Sequence, residues 1–201
     1  MPLSIYFVFI LTSCQNEKEN EVSEEINLKV ELEAIFDSDQ YYRSEFSVEF
    51  AECGQDSDRL GELYKLSNEA DSINSIKIDA ILSEYGWPNL DEISRKGNEA
   101  IFLVIQHSNI FYQKKHLPLV YQAYLEGKIG GQQMALLKDR ISVRENGYQV
   151  YGTQIKSVGN NGGYRLPPLQ YPNKVDSLRE TMQLEPLQDY LSQWNIQYKE
   201  P

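Results

Sequence analysis

A histidine at the end of an apolar segment is the residue best suited to acid–base chemistry. His107 follows Gln106 directly after the apolar run 100–105. An imidazole can take up and release a proton near neutral pH, so His107 could serve as a general acid or base. In that interpretation Asp139 or Asp39 orients the ring and stabilises the imidazolium. The alternative is a satisfied core histidine at a helix end, and both interpretations stay open.

An arginine could act on the substrate of such a histidine. Either Arg43 or Arg140 would hold an anionic substrate group or a developing oxyanion. Asp39 and Arg43 are four residues apart on one helical stripe, where opposite charges can pair. The amides of Gln106 and Gln154 could position a substrate by hydrogen bonds. The sequence contains no nucleophile-elbow serine and no glycine-rich phosphate loop, so a hydrolase or transferase here would use water or a substrate hydroxyl.

The same polar side chains support two other hypotheses. In the preferred one they form a pocket for a small polar ligand, to which Trp87, Tyr148 and Tyr151 also contribute. In the structural one they form a buried ion-pair network without a ligand, made by Asp39, Arg43, Asp139 and Arg140. Loss of one partner of such a network costs about 3–5 kcal/mol. Whether the protein is an enzyme is left open.

Neither a metal nor a cofactor is expected. The chain has two histidines, and its two cysteines, Cys14 and Cys53, do not form a Cys-x-x-Cys pair, so a zinc site is not indicated. Cys53 is expected to be a small, partly buried hydrophobe rather than a nucleophile.

Hydrophobic periodicity predicts a mainly α fold of the α+β type. One apolar face of a first helix consists of Leu28, Leu32, Ile35 and Phe36. A second helix is predicted from about 60 to 85, where Gly86-Trp87-Pro88 ends it. Asp91 is expected to cap the next helix. That helix should be central, because its run 100–105 is apolar on all sides. Helices are thus predicted at 92–109, 118–126, 131–139, 175–183 and 186–195.

One antiparallel hairpin is predicted near residues 140–155. Asn146-Gly147 lies between two β-prone segments, which is a strong hairpin signal. With these two residues as the turn, Val143 pairs with Val150, and Asp139 and Gln154 meet at the base. Residues 156–174 are predicted to be a long loop.

The first residues are typical of a secreted, lipid-modified protein. The apolar run 3–11 is too short to span a bilayer and suits a signal peptide over residues 1–13. Leu11-Thr12-Ser13-Cys14 resembles the lipobox of bacterial lipoproteins, which implies a lipid such as palmitate on Cys14. No Lys or Arg precedes the apolar run, which departs from the secretory pattern and is consistent with translation starting upstream.

The segment behind Cys14 is predicted to be an acidic tether over residues 14–27, with a single globular domain over 28–201. Residues 15–25 are too polar to build a core. The expected location is the bacterial cell envelope, with the outer membrane as the anchoring membrane; its periplasmic and surface faces both remain open. The lipid on Cys14 would be the membrane contact. A formal net charge of −11 without basic clusters argues against nucleic acid as a partner.

Seven short motifs in order resemble an uncharacterised bacterial family, the domain of unknown function DUF6624. They are Asp39-Gln40-x-x-Arg43, Tyr85-Gly86-Trp87-Pro88, Gln106-His107, Leu117-Pro118-Leu119, Asp139-Arg140, Tyr151-Gly152-Thr153-Gln154 and Leu184-x-Pro186-Leu187-x-x-Tyr190. The resemblance covers about residues 28–195 and implies family membership without an established activity. Its polar positions are Asp39, Gln40, Arg43, Gln106, His107, Asp139, Arg140, Tyr151, Thr153 and Gln154.

Overall fold

The computed structural model describes the backbone of residues 9–54, 57–158 and 163–198, and the side chains of these residues from 28 onward. The described elements are α1 (Phe9–Cys53), α2 (Asp58–Tyr85), α3 (Arg95–His107), α4 (Ile110–Leu125), α5 (Gly131–Asn146), β1 (Lys156–Val158), β2 (Gly163–Arg165), a 3-10 turn (Pro172–Lys174), α6 (Val175–Thr181) and α7 (Leu187–Ser192). The predicted mainly α class with one antiparallel hairpin is confirmed.

The main core lies where α3 packs between other helices. α1 contributes its predicted face, with Leu28, Leu32 and Ile35 buried. α3 is central, as its apolar composition predicts, and Ile101 and Ile105 are fully buried. The residue that caps α3 is Ser94 and not the predicted Asp91. The Ser94 side chain accepts from the Gly97 N–H, and α3 begins at Arg95.

α1 extends far toward the N-terminus. Its backbone is helical from Phe9 and therefore includes residues 15–25, for which composition predicted a flexible tether. Glutamate has good intrinsic helix propensity, so a helical backbone is compatible with this segment. Residues 1–8 and the side chain of Cys14 lie outside the described part, and the division into leader, tether and domain stays a prediction. No helix within the described ranges is both long and apolar enough to cross a membrane.

The helix predicted at 118–126 is the second half of a longer one. α4 begins at Ile110, because the Asn109 side chain caps it by accepting from the Tyr112 N–H. Pro118 lies inside α4 rather than in its first turn.

The position predicted for the hairpin is wrong. Residues 140–146 are helical, α5 ends at Asn146, and Gly147 adopts a left-handed conformation with φ 77°. Asn-Gly fits a hairpin turn and a helix C-terminus alike, because both need a positive φ. The helix prevails because Met134, Leu137 and Ile141 form a buried stripe at helical spacing.

The observed hairpin lies in the segment predicted to be a loop. β1 pairs with β2 in antiparallel fashion, with Lys156 opposite Arg165 and Val158 opposite Gly163. Both strands are exposed. The predicted pairing of Val143 with Val150 does not form, and residues 148–155 run as an irregular segment over α5.

Candidate functional site

The predicted site residues form two separate clusters. One, which we call the His107 cluster, comprises Asp39, Gln40, Arg43, His107 and Arg140. The other, the Asp139 cluster, comprises Asp139, Tyr151, Thr153 and Gln154. No hydrogen bond or ion pair between described side chains joins the two.

The centre of the His107 cluster is a buried carboxylate at the contact of α1 with α3. Asp39 is 2% exposed, and both of its oxygens lie 3.0 Å from His107 Nδ1. Gln40 Nε2 donates to Asp39 Oδ2 at 2.7 Å. Arg43 Nε lies 3.5 Å from the same oxygen, one helical turn along α1. Of the two carboxylates considered for orienting His107, the structure places Asp39 beside it.

The ionisation of Asp39 reflects these neighbours. Burial opposes the charged form, but the hydrogen bond and charge of His107, with further help from Arg43 and Gln40, hold the pKa of Asp39 below its ordinary value. The carboxylate is therefore ionised at neutral pH and accepts the hydrogen bond of His107 Nδ1 as an anion.

Arg43 also connects α1 to α2. Its Nη2 lies 2.5 Å from Asp71 Oδ1 and its Nη1 donates to Ser67 Oγ at 3.2 Å. Asp39 and Asp71 together offset the charge of this arginine. Sequence reasoning missed Asp71 because no local pattern links it to Arg43.

Arg140 differs from Arg43 because none of the described carboxylates forms an ion pair with it, whereas Arg43 pairs with Asp39 and Asp71. Its Nε is buried without a hydrogen-bond partner among the described residues. Burial, together with the like charges of Arg144 and Arg43, lowers the pKa of Arg140 to about 10. A partly buried guanidinium close to two other arginines is an unusual arrangement, since buried charges are normally paired with opposite charges.

Arg144 completes the cationic side of the cluster. It lies one turn after Arg140 on α5, and its Nη1 donates to the backbone oxygen of Ser108 at 3.0 Å. Four-residue spacing would have indicated a shared helix face. The hairpin predicted for this segment concealed that signal.

An open groove of about 700 Å³ lies beside His107. It is formed by the α3–α4 junction, the end of α5 and one residue of α2; its lining residues are Asn68, His107, Ser108, Asn109, Ile110, Phe111, Lys114, Arg144 and Glu145. Lys114 pairs with Glu145 across the groove. The first turn of α4 also faces this space, and helix N-termini favour anions.

Gln106 lies next to His107 but faces the interior. Gln106 is 3% exposed, and its backbone oxygen accepts from Gln113 Nε2 at 2.7 Å. Its side-chain Oε1 is buried and has no hydrogen-bond partner in the part of the chain that the structure describes. Trp87, also considered for the pocket, is buried in the core, where its indole N–H donates to Asn98.

The Asp139 cluster is a backbone clamp. Asp139 is fully buried, and its two oxygens accept from the N–H groups of Val150, Tyr151 and Thr153 and from the Thr153 hydroxyl at 2.7–3.1 Å. The Asp139 side chain thus holds residues 150–153 against α5, although this segment was predicted to pair with α5 residues as the second strand of a hairpin. Gly152 has φ 70°, and a Cβ there would lie 2.7 Å from Leu187.

Further contacts extend this clamp to the C-terminal helices. Arg179, a residue that sequence reasoning missed, is 1% exposed and donates to the backbone oxygens of Tyr151 and Glu185. Tyr190 Oη donates to the Thr153 oxygen, and Gln154 Nε2 donates to the Leu136 oxygen. Every polar contact described for this cluster is internal, but Asp139 accepts from backbone groups and the Thr153 hydroxyl instead of joining the predicted ion-pair network with Asp39, Arg43 and Arg140.

A second Asp–His pair lies on the other side of α4. His116 Nε2 is 2.7 Å from Asp79 Oδ1, and Lys115 pairs with the same carboxylate. Burial holds the pKa of His116 below its ordinary value despite Asp79. This pair links α2 to α4 and does not line the groove beside His107.

Cys53 is exposed at the end of α1, so the expectation that it would be partly buried is wrong. Its hydrogen bond and repulsion with Glu49 raise the pKa of the thiol, which disfavours a nucleophilic thiolate. Among the residues with described side chains, no group of three His, Cys, Asp or Glu is placed to hold a metal ion.

The two clusters should respond oppositely to loss of charge. Asp139→Asn should lower the free energy of unfolding by about 3 kcal/mol or more, because buried backbone donors lose their acceptor. Arg140→Met should leave that free energy unchanged or raise it, because a charge without a carboxylate partner is removed. Urea unfolding of both variants measures the difference. Equal losses would instead make Arg140 part of the structural network.

A family model described as a family of unknown function, DUF6624, matches residues 26–199. No curated protein and no solved structure matches the chain significantly. The match includes both clusters and the helices that carry them. The chain therefore belongs to the DUF6624 family.

Proposed function

We propose that the domain binds a small oxyanion-bearing ligand, such as a phosphate or carboxylate compound, in the groove beside His107. The observation that carries this proposal is Arg140, a largely buried guanidinium that lies beside Arg43 and Arg144 and has no carboxylate partner among the residues with described side chains. A bound oxyanion would supply the missing negative charge, and a guanidinium can bind one through two parallel hydrogen bonds.

The surroundings of Arg140 support an anion rather than a neutral ligand. Arg144, Lys114 and His107 contribute to the groove, whereas Glu145 is its one acidic lining residue. The amino-terminal end of α4 adds a partial positive charge. The proposed pocket thus includes His107 of the Gln-His motif and adjoins the α5 turn that carries Arg140, whereas Gln106 and Asp139 are buried in the interior.

Titration with inorganic phosphate, sulfate and acetate at low ionic strength tests this proposal. Wild type should bind at least one of these anions, and Arg140→Gln should weaken binding about tenfold or more, since a hydrogen bond to a charged group contributes roughly 1.5–3 kcal/mol. Isothermal titration calorimetry measures both constants. Arg165→Gln, at an exposed strand position, is the matched control and should bind like wild type. Absence of binding, or equal binding by Arg140→Gln, would contradict the proposal.

A second candidate is acid–base catalysis by His107, as in a hydrolase or transferase. Its support is the Asp39 carboxylate at Nδ1, which favours the tautomer in which Nε2 is free to accept a proton. His107 lines the groove, where water or a substrate hydroxyl would be the group deprotonated.

Hydrolysis of 4-nitrophenyl phosphate distinguishes catalysis from binding alone. If His107 is a general base, His107→Gln should lower kcat by roughly 100-fold or more. His116→Gln, in the other Asp–His pair, should retain most of the activity because it lies outside the groove. Turnover no faster than in buffer, or turnover that survives in His107→Gln, would rule out this candidate.

We also propose that the domain is anchored in the bacterial cell envelope by lipid on Cys14, with the outer membrane as the expected membrane. The lipobox-like Leu11-Thr12-Ser13-Cys14 and the acidic residues behind it support this location. Several acyl chains would make the attachment stable.

Metabolic labelling with a palmitate analogue in a bacterial host tests the anchor. The full chain should incorporate the label and sediment with membranes, and Cys14→Ser should lose both properties. Cys53→Ser, which removes the other cysteine, should behave like wild type. A wild-type chain that stays unlabelled would refute lipidation.

A further inference from the structure

A second groove continues from the one beside His107. It has a volume of about 700 Å³, runs along α2, and is lined by Tyr64, Lys65, Asn68, Glu69, Ser72 and Ile73. Asn68 lines both grooves. The shared residue makes them neighbouring parts of one elongated surface, with the cations of α5 at one end.

This surface exposes large apolar side chains beside its cationic end. Phe111 is 83% exposed, Tyr64 is 64% exposed and Ile73 is 57% exposed. Exposed aromatic side chains that line a groove indicate a binding surface, because the complex is stabilised when a partner covers them and removes their apolar surface from water.

The α2 end differs in charge from the His107 end. Its one cation, Lys65, lies 3.9 Å from Glu69, so its charge is locally compensated. At the His107 end, Arg144 lines the groove and lies beside Arg140, and no ion pair is described for either of them within the described part of the chain. The groove is therefore cationic at one end and aromatic with balanced charge along the rest.

We infer that the ligand is a compound in which an oxyanion is joined to a planar apolar group. This inference rests on the proposed function, which concerns the oxyanion, and adds the chemical nature of the group that is joined to it. The oxyanion binds at the Arg140 and Arg144 end, and the planar group lies on the Phe111 ring and extends past Asn68 toward Tyr64. A flat ring suits this surface because aromatic rings stack at little entropic cost.

Comparison of phenyl phosphate with inorganic phosphate tests the inference on the full chain. Wild type should bind phenyl phosphate about tenfold or more tightly than inorganic phosphate, since only phenyl phosphate has an aromatic ring that binding removes from water. Phe111→Ser should abolish that preference by weakening the binding of phenyl phosphate. Phe50→Ser, at a half-exposed phenylalanine of α1 outside the groove, should leave the preference intact. Tyr64→Ser, as a second variant, should reduce it.

The outcomes separate this inference from the proposed function. If both phosphates bind equally, or if Phe111→Ser and Tyr64→Ser keep the preference, the planar-group inference is overturned while anion binding stands. If neither compound binds, the proposed function and this inference fail together. A preference lost in Phe111→Ser and kept in Phe50→Ser supports the inference.

Discussion

The arrangement of the first three helices depends on one buried carboxylate. Asp39 is almost completely removed from water at the contact of α1 with α3, where an ionised group needs cations and donors close by. His107, Arg43 and Gln40 meet that need. Because Arg43 also pairs with Asp71, the same constraint links α2 to α1. His107 is thereby held in a set orientation at the edge of the groove.

α5 uses two adjacent residues in different ways. Asp139 is fully buried and satisfied by backbone donors of residues 150–153. Arg140 lies near the like charges of Arg43 and Arg144, and no carboxylate in the described ranges pairs with it. One side of α5 thus organises the C-terminal part of the fold, and the neighbouring side supplies uncompensated charge. Adjacent helical residues point about 100° apart, which makes this separation possible.

The local charge of the groove is opposite to that of the whole chain. The formal net charge is −11, yet Arg144 and Lys114 line the space beside His107, and Arg140 lies one helical turn before Arg144. A positive groove on an acidic protein attracts small anions, whereas long polyanions meet repulsion from the rest of the surface. The overall charge therefore argues against nucleic acid and is compatible with a small oxyanion.

The buried helix faces and the apolar run of α3 were predictable because the spacing of hydrophobic residues, about 3.6 residues per turn, is a property of the local sequence. The end of α5 at Asn146-Gly147 was not predictable in this way, since a residue with a positive φ occurs both in a hairpin turn and at the end of a helix. Burial of Met134, Leu137 and Ile141 against other helices resolved it.

The sequence by itself determined the helical class, the central position of α3 and the identity of the polar motifs. Only the tertiary structure decided which motifs meet. It placed His107 beside Asp39, 68 residues away, and it assigned Asp139 to backbone donors instead of the imidazole. The physical reason is that hydrophobic periodicity records which face of a helix is buried but carries no information on which distant side chain satisfies a buried charge.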